Sequence, residues 1–317
     1  MQCMGSFCTQ FFSYRLASKR KNEVKRMKNV STVSYKNATG KIDYGFRNDY
    51  MFRAVLQTSK KTLTGLVSAL LHIDPADVKS IEIQNPIELG KVYDDKEFIL
   101  DISLLLNDNT YINLEMQVSN NHDWPERSLS YLCRSFDQLN RGQAYLDAKP
   151  VIHIGILDYT LFENAPEFYA TYELQNIRTQ QTYSRKLSLN VLDLTQIDRA
   201  TEEDKCFGID RWAALFRATT WEELRMITKN NEYMDDGAQV LLTMNSDQTI
   251  RDMCYFRERA IIEEKYRNDL IKKQEAELAT KSQELAKKDH KLAEQNKQLI
   301  GKDRIIAELQ AQLASQK

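Results

Sequence analysis

One stretch decides the fold of this chain: Phe98-Ile-Leu-Asp-Ile-Ser-Leu-Leu-Leu-Asn-Asp-Asn-Thr-Tyr-Ile-Asn-Leu-Glu-Met-Gln-Val118. It predicts two strands joined by a tight turn, because apolar, β-branched and aromatic residues dominate both arms. Residues 107–109 (Asn-Asp-Asn) supply the turn, since Asn and Asp tolerate the left-handed backbone that such turns need. Two acids, Asp101 and Glu115, interrupt the apolar arms, where a buried strand should have none.

The number of turn residues decides whether the two acids share a face. Strand side chains alternate, so Glu115 shares its face with Asn113 and Gln117. An odd turn such as residues 107–109 places Asp101 opposite Glu115, whereas a two-residue turn sends the acids to opposite faces. Two carboxylates about 4 Å apart repel by about 4 kcal/mol at an effective dielectric of about 20. A divalent cation between them makes that cost tolerable. Two alternatives remain at this point: a metal site, or two edge-strand acids facing solvent.

The motif around these acids resembles the core of the PD-(D/E)XK nuclease superfamily. More narrowly, it is similar to the branch called PD-(D/E)XK nuclease family transposases, or recombination-promoting nucleases. The matching residues are Lys96, Leu100-Asp101-Ile102 and Leu114-Glu115-Met116-Gln117. Gln117 stands where the superfamily usually has lysine, as is common in this branch. A similar opening segment, Asn48-Asp-Tyr-Met-Phe-Arg53, precedes them.

The predicted order of elements agrees with that resemblance. Helical spacing begins at Phe46, residues 80–86 form a strand, and a long helix is predicted from Trp124 to Leu146. Residues 151–157 read as a buried strand. We therefore expect an α/β fold: a PD-(D/E)XK restriction-endonuclease-like core with a mixed central sheet flanked by helices. Residues 167–174 and 182–194 are expected to extend the sheet as a hairpin.

Composition divides the chain into four regions. Residues 1–41 carry a net charge of +8 and are expected to form a disordered basic extension, so the remaining residues carry −9. We predict a nuclease-like domain over residues 42–200, a helical region over residues 201–256, and a long heptad helix over residues 257–317.

The last region repeats an apolar residue every seventh position. The repeat comprises Ile271, Leu278, Leu285, Leu292, Leu299, Ile306 and Leu313. This pattern predicts a coiled coil, and hence a homo-oligomer. Polar residues at the alternate seam positions, such as Glu275 and Asp289, favour instead a solvated single helix.

Composition also argues against two classes of protein. No apolar run approaches the roughly 18–20 residues that span a bilayer. The five cysteines form no CxxC pair and the four histidines show no ligand spacing, so a zinc site is not expected. This usage of cysteine is typical of reduced, cytoplasmic thiols, and we expect a cytoplasmic protein without a membrane segment.

The resemblance implies a Mg²⁺-dependent DNA endonuclease, with Mn²⁺ as an alternative metal and DNA as the partner. The implied catalytic residues are Asp101, Glu115 and Gln117, and the implied metal ligands are Asp101, Glu115 and the backbone carbonyl of Met116. Asp49 and Glu88 are candidates for a third carboxylate. The alternative is a catalytically inactive nuclease fold that binds DNA or protein and oligomerises through the C-terminal helix.

Three further residues have two interpretations each. Arg127 and Tyr131 share a helix face, where they either position phosphate or pack and form helix ion pairs. His153 interrupts the apolar strand of residues 151–157. We expect a core histidine there rather than a catalytic one.

Overall fold

The computed structural model describes residues 33–87, 89, 102–137 and 139–315. The strands are β1 (Ile81–Ile83), β2 (Ile102–Leu106), β3 (Thr110–Gln117), β4 (Val151–Leu157), β5 (Tyr169–Gln175) and β6 (Thr182–Asp193). The helices are α1 (Asp49–Thr58), α2 (Lys60–Leu70), α3 (Trp124–Phe136), α4 (Glu202–Cys206), α5 (Ile209–Arg217), α6 (Trp221–Thr228), α7 (Glu232–Ser246) and α8 (Gln248–Ser315). The predicted order of helix, three strands, helix and strand is confirmed.

The hairpin formed by β2 and β3 has the odd register. Leu106 pairs with Thr110 and Ile102 pairs with Leu114, so three residues, 107–109, form the turn. Asn107 and Asp108 have φ values of 50° and 55°, the left-handed conformation that asparagine and aspartate tolerate. The Asn107 carboxamide also accepts the backbone N–H groups that precede β1, at 2.7 and 3.1 Å. The turn therefore fixes both the register and the edge strand beside it.

The six strands form one mixed sheet in the order β1-β2-β3-β4-β6-β5. The pairs β1/β2, β2/β3 and β5/β6 are antiparallel, whereas β3/β4 and β4/β6 are parallel. The apolar strand β4 lies in the centre, as its composition predicts, and β5 and β6 form the predicted extending hairpin. The parallel strands β3 and β4 are joined by a crossover that contains α3, because parallel neighbours need a long connection.

The two faces of this sheet differ in chemistry. One face carries Ile112, Leu114 and Met116 of β3 and joins the main hydrophobic core. That core includes α1, whose residues 49–56 are all buried. The opposite face carries Asn113, Glu115 and Gln117 of β3 and is covered by α3. Polar residues of β3 therefore meet one helix, while its apolar residues meet the core.

Gly155 allows α3 to approach the polar face closely. It pairs with Glu115 in the parallel register of β3 and β4. A Cβ atom at residue 155 would overlap with the indole ring of Trp124, the first residue of α3. Trp124 is 1% exposed and packs with Leu157 and Val191 in a second, smaller cluster. The glycine beside Glu115 thus positions the start of α3.

Two expectations about segment bounds are wrong. The helix predicted from Trp124 to Leu146 ends at Phe136. Gly142 has a φ of +93°, which an α-helix does not allow. Gly142 therefore belongs to a turn and not to the end of the helix.

The predicted disordered extension of residues 1–41 is also too long. Residues 1–32 lie outside the described part of the chain, but residues 33–41 are ordered. Tyr35 is 2% exposed, and its hydroxyl bonds Thr228 at 2.9 Å and Asp235. Tyr35 holds this segment together with polar contacts, among them the Lys36–Asp235 ion pair and the pairing of Lys41 with Thr220. Such contacts leave no periodic pattern in the sequence.

The chain divides into two units, residues up to Glu258 and residues from Arg259. Helices α5 to α7 and the first turns of α8 contribute to the same hydrophobic core as α1 and β3. The region predicted over residues 201–256 therefore packs with the nuclease-like domain. In the second unit, α8 exposes its apolar residues. Among the described helices, none combines the length and apolar character needed to cross a membrane.

We predict that Gly155→Ala destabilises the first unit, because the added methyl group forces Trp124 and α3 away from the sheet. Overpacking of this kind costs roughly 1–3 kcal/mol. The matched control is Gly45→Ala, where the new Cβ meets a single backbone oxygen at 3.5 Å, an ordinary contact. Thermal denaturation should show a lower midpoint for Gly155→Ala than for the control. Equal midpoints would contradict this account of α3.

Candidate functional site

Glu115 is the centre of the polar face of the sheet. Glu115 is 5% exposed and lies on β3. Because strand side chains alternate between faces, Asn113 and Gln117 lie on the same face as Glu115. On β4 the parallel register sets His153 beside Asn113 and Gly155 beside Glu115. A carboxylate so deeply buried needs compensating partners, since an isolated buried charge costs several kcal/mol.

Arg127 supplies one of these partners from the first turns of α3. Its Nη2 lies 2.6 Å from Oε1 of Glu115. Burial lowers the pKa of the Arg127 guanidinium, but the charges of Glu115, Tyr131 and Asp123 outweigh that effect and leave the pKa raised. The Arg127 side chain is 36% exposed, whereas that of Glu115 is buried. The arginine therefore lies between the buried carboxylate and solvent.

His153 lies below the same carboxylate and is neutral at physiological pH. Its Nδ1 accepts a hydrogen bond from the Asn113 carboxamide nitrogen at 3.0 Å, which leaves the proton on Nε2. That nitrogen is 4.0 Å from Oε2 of Glu115. Burial, with a further contribution from the Arg127 charge, lowers the pKa of His153 to about 4. His153 is fully buried, as expected of a core histidine, but its Nε2 has no hydrogen-bond partner among the described residues and lies near Glu115.

Two tyrosines line the site. The Tyr131 ring lies nearly parallel to His153 at a centroid distance of 6.0 Å and an angle of 18°. The Arg127 guanidinium carbon is 5.6 Å from the centre of the same tyrosine ring. Tyr159 follows β4, and its pKa is raised by burial and then by the charges of Asp123 and Glu115. Tyr159 therefore stays a neutral hydroxyl near the buried acid.

Unsatisfied polar atoms are concentrated around Glu115. In the residues around Glu115, four buried side-chain atoms lack a hydrogen-bond partner within the described part of the chain: Asn113 Oδ1, Trp124 Nε1, Arg127 Nε and His153 Nε2. Buried polar groups are normally paired, and their clustering points to a binding or catalytic role. The described residues therefore leave several polar groups around Glu115 available to further partners.

Gln117 and Met116 occupy different surroundings. The Gln117 carboxamide nitrogen donates to the backbone oxygen of Ser119 at 3.0 Å. The Met116 side chain is 5% exposed and belongs to the main core on the other face. At residue 116 a metal ligand would therefore have to be the backbone carbonyl, as the resemblance implies.

Several predicted residues are not brought to this site by the described structure. Asp101 and Glu88 lie outside the described residues. The observed pairing of β2 with β3, from Leu106–Thr110 to Ile102–Leu114, is the register of the three-residue turn. For that register we predicted that Asp101 lies opposite Glu115. Asp49 is engaged elsewhere: its carboxylate pairs with Arg257 at 2.7 Å and accepts the Tyr50 N–H at 2.8 Å. These contacts bind α1 to α8 and leave Asp49 without a described contact to Glu115.

The donors that are present fit a hard divalent cation in part. Glu115 offers a carboxylate and Met116 a backbone carbonyl, and Mg²⁺ prefers oxygen ligands of both kinds. Among the described residues, no group of three or more His, Cys, Asp or Glu could hold a metal ion. Two orphaned atoms near Glu115, Asn113 Oδ1 and His153 Nε2, suit bound water or a polar ligand. A complete metal site would therefore need at least one ligand from outside the described residues, and Asp101 is the one that the sequence predicts.

Sequence reasoning placed Asn113 on the face of Glu115 but missed Trp124, Gly155 and Tyr159. One signal was available: an isolated glycine in an apolar strand suggests close approach of another group. The histidine two residues before it, in the same apolar strand, was the second sign of a special face. The partner of Arg127 is set by tertiary packing, and no local pattern names it.

Comparison with known proteins gives one match. The family model of the PD-(D/E)XK nuclease family transposases matches residues 43–273. Searches of curated proteins and of solved structures find no match. The family match covers most of the chain, including the hairpin, Glu115, α3 and β4. This chain belongs to the PD-(D/E)XK nuclease family transposases.

Proposed function

We propose that the chain is a Mg²⁺-dependent DNA endonuclease of the recombination-promoting type, which hydrolyses phosphodiester bonds. The observation that supports this proposal best is the buried carboxylate of Glu115, which lies on the strand that carries the family's motif. Four polar atoms without hydrogen-bond partners among the described residues surround it. The odd register of the hairpin supports the same proposal, because it is the register that lets Asp101 share this face.

Each residue then has a role. Asp101, Glu115 and the Met116 carbonyl hold Mg²⁺, or Mn²⁺ in its place. The bound metal supplies Lewis-acid polarisation of the phosphate and a more acidic water. His153 Nε2 lies 4.0 Å from Oε2 of Glu115, a separation at which a water molecule can connect the two groups. The Gln117 carboxamide orients a water or a phosphate oxygen, after it releases the Ser119 carbonyl.

A second candidate function is an inactive nuclease fold that binds DNA or protein. One observation favours it: Gln117 carries no charge and is hydrogen-bonded to its own strand's continuation. A site without the superfamily's lysine has less positive charge for the developing phosphate. Cleavage itself separates the two candidates.

We also propose a cytoplasmic location for the protein. The support is its cysteine chemistry: Cys133, Cys206 and Cys254 are free thiols, and Cys254 is fully buried in the core. Reduced thiols without disulfides are typical of proteins that work in reducing compartments.

The apolar stripe of α8 supports a homo-oligomer. In the second unit Leu278, Leu285, Leu292 and Leu299 are each 56–65% exposed and recur at heptad spacing. Parallel copies of such a helix bury this stripe against each other. The polar residues between the leucines limit the strength of that association, so the complex should be sensitive to single charges.

We expect acid variants in the site to abolish Mg²⁺-dependent plasmid cleavage by the full-length protein. Asp101→Ala and Glu115→Gln each remove a metal ligand, and Gln117→Ala should cost about 10²-fold through loss of a positioned polar group. Glu115→Gln is preferred to alanine because it retains a hydrogen-bond acceptor for Arg127. The control is Glu126→Gln, an exposed acid in the first turn of α3. Wild-type activity in Glu115→Gln would reject the site.

We expect charges in the stripe to dissociate the oligomer. Leu285→Lys with Leu292→Lys places two cations in the proposed interface, whereas Gln283→Lys with His290→Lys adds the same charges on the polar side of the helix. Light scattering should give the monomer mass for the first pair and a multiple of it for the second. Identical masses for both pairs would show that the stripe is not the interface.

A further inference from the structure

Arg127 lies in the site, but the proposed chemistry gives it no role so far. Its guanidinium touches the buried carboxylate of Glu115 at 2.6 Å. A divalent cation bound to Glu115 would place a second positive charge beside this guanidinium, and the two cations would repel each other. The ion pair and the metal-loaded site therefore disfavour each other.

The surroundings of Arg127 suit a side chain with two positions. Its backbone is fixed, since Trp124 is anchored against Gly155 and the Arg127 N–H donates to the Asp123 carbonyl at 2.9 Å. Its head is less constrained: Nε is buried without a hydrogen bond among the described residues, while the side chain as a whole is 36% exposed. A guanidinium on a fixed helix with a solvent-facing side can leave Glu115 without moving the backbone.

The site also lacks a charge where one is needed. Phosphodiester hydrolysis builds negative charge on the phosphate oxygens, and enzymes stabilise it with positioned cations. Gln117 offers an amide, and its nitrogen donates to the Ser119 carbonyl. Arg127 is charged, lies in contact with Glu115, and has the planar fork that binds phosphate through two hydrogen bonds.

We propose that Arg127 is a catalytic residue that exchanges partners: it pairs with Glu115 before metal and DNA bind, and with the scissile phosphate afterwards. In the first state it neutralises the buried carboxylate and repels the metal. In the second it supplies the positive charge that Gln117 cannot. Tyr131, whose ring faces both Arg127 and His153, guides the guanidinium between these states. This inference rests on the proposed nuclease function.

The test compares Arg127→Gln and Arg127→Lys with wild type in the full-length protein. Two quantities are measured: the rate of Mg²⁺-dependent plasmid cleavage, and the dissociation constant of Mn²⁺ without DNA, by isothermal titration calorimetry. Arg127→Gln should cleave about 10²-fold more slowly or worse. It should also bind Mn²⁺ several-fold more tightly, because the positive charge that repels the metal is gone. Arg127→Lys should retain part of the cleavage.

The opposite signs of these two effects distinguish exchange from support of the fold. A merely structural arginine would weaken metal binding together with cleavage, and that outcome overturns the proposal. Cleavage by Arg127→Gln within about threefold of wild type overturns it as well. Arg134→Gln, in the last turn of the same helix, is the matched control and should change neither quantity. If wild type neither cleaves DNA nor binds Mn²⁺, the nuclease proposal itself fails.

Discussion

The burial of one carboxylate, that of Glu115, is the constraint on which the rest of the site depends. An ionised acid on the inner face of a sheet is tolerated when opposite charge and hydrogen bonds replace its water. Arg127 provides that charge, and Arg127 can reach it because Trp124 seats α3 against Gly155. Gly155 thus positions Trp124, and the helix that begins at Trp124 positions Arg127 beside Glu115.

The turn of the β2–β3 hairpin decides which face receives the acid. Three turn residues place Ile112 and Leu114 in the main core, which leaves Glu115 for the face under α3. A shift of one residue would exchange the two faces, burying a charge in an apolar core and exposing the apolar side chains. By setting this register, the left-handed residues Asn107 and Asp108 determine the face on which Glu115 lies as well as the pairing of the strands.

Much of this arrangement could be predicted from local sequence. The alternation in residues 110–117, the Asn-Asp-Asn turn and the apolar strand β4 follow from side-chain periodicity and turn chemistry. Longer-range features could not be predicted in this way. They include the end of α3 at Phe136 and the order of residues 33–41, which depends in part on the distant partners of Tyr35. The pairing of Arg127 with Glu115 joins two elements through tertiary packing, which single-sequence patterns do not encode. For Asp101, the site's second acid, the alternation of the strand remains the basis of the prediction.

The central claim is that Glu115 exchanges the guanidinium of Arg127 for a metal ion. The most direct measurement is anomalous diffraction from crystals of the full-length protein soaked in Mn²⁺. The account predicts an anomalous peak about 2.0–2.2 Å from an oxygen of Glu115, near the distance that Mg²⁺-type sites adopt. It also predicts that Asp101 is a second ligand and that Arg127 has left the carboxylate. A Mn²⁺ peak elsewhere, with the Arg127–Glu115 ion pair still formed, would contradict it.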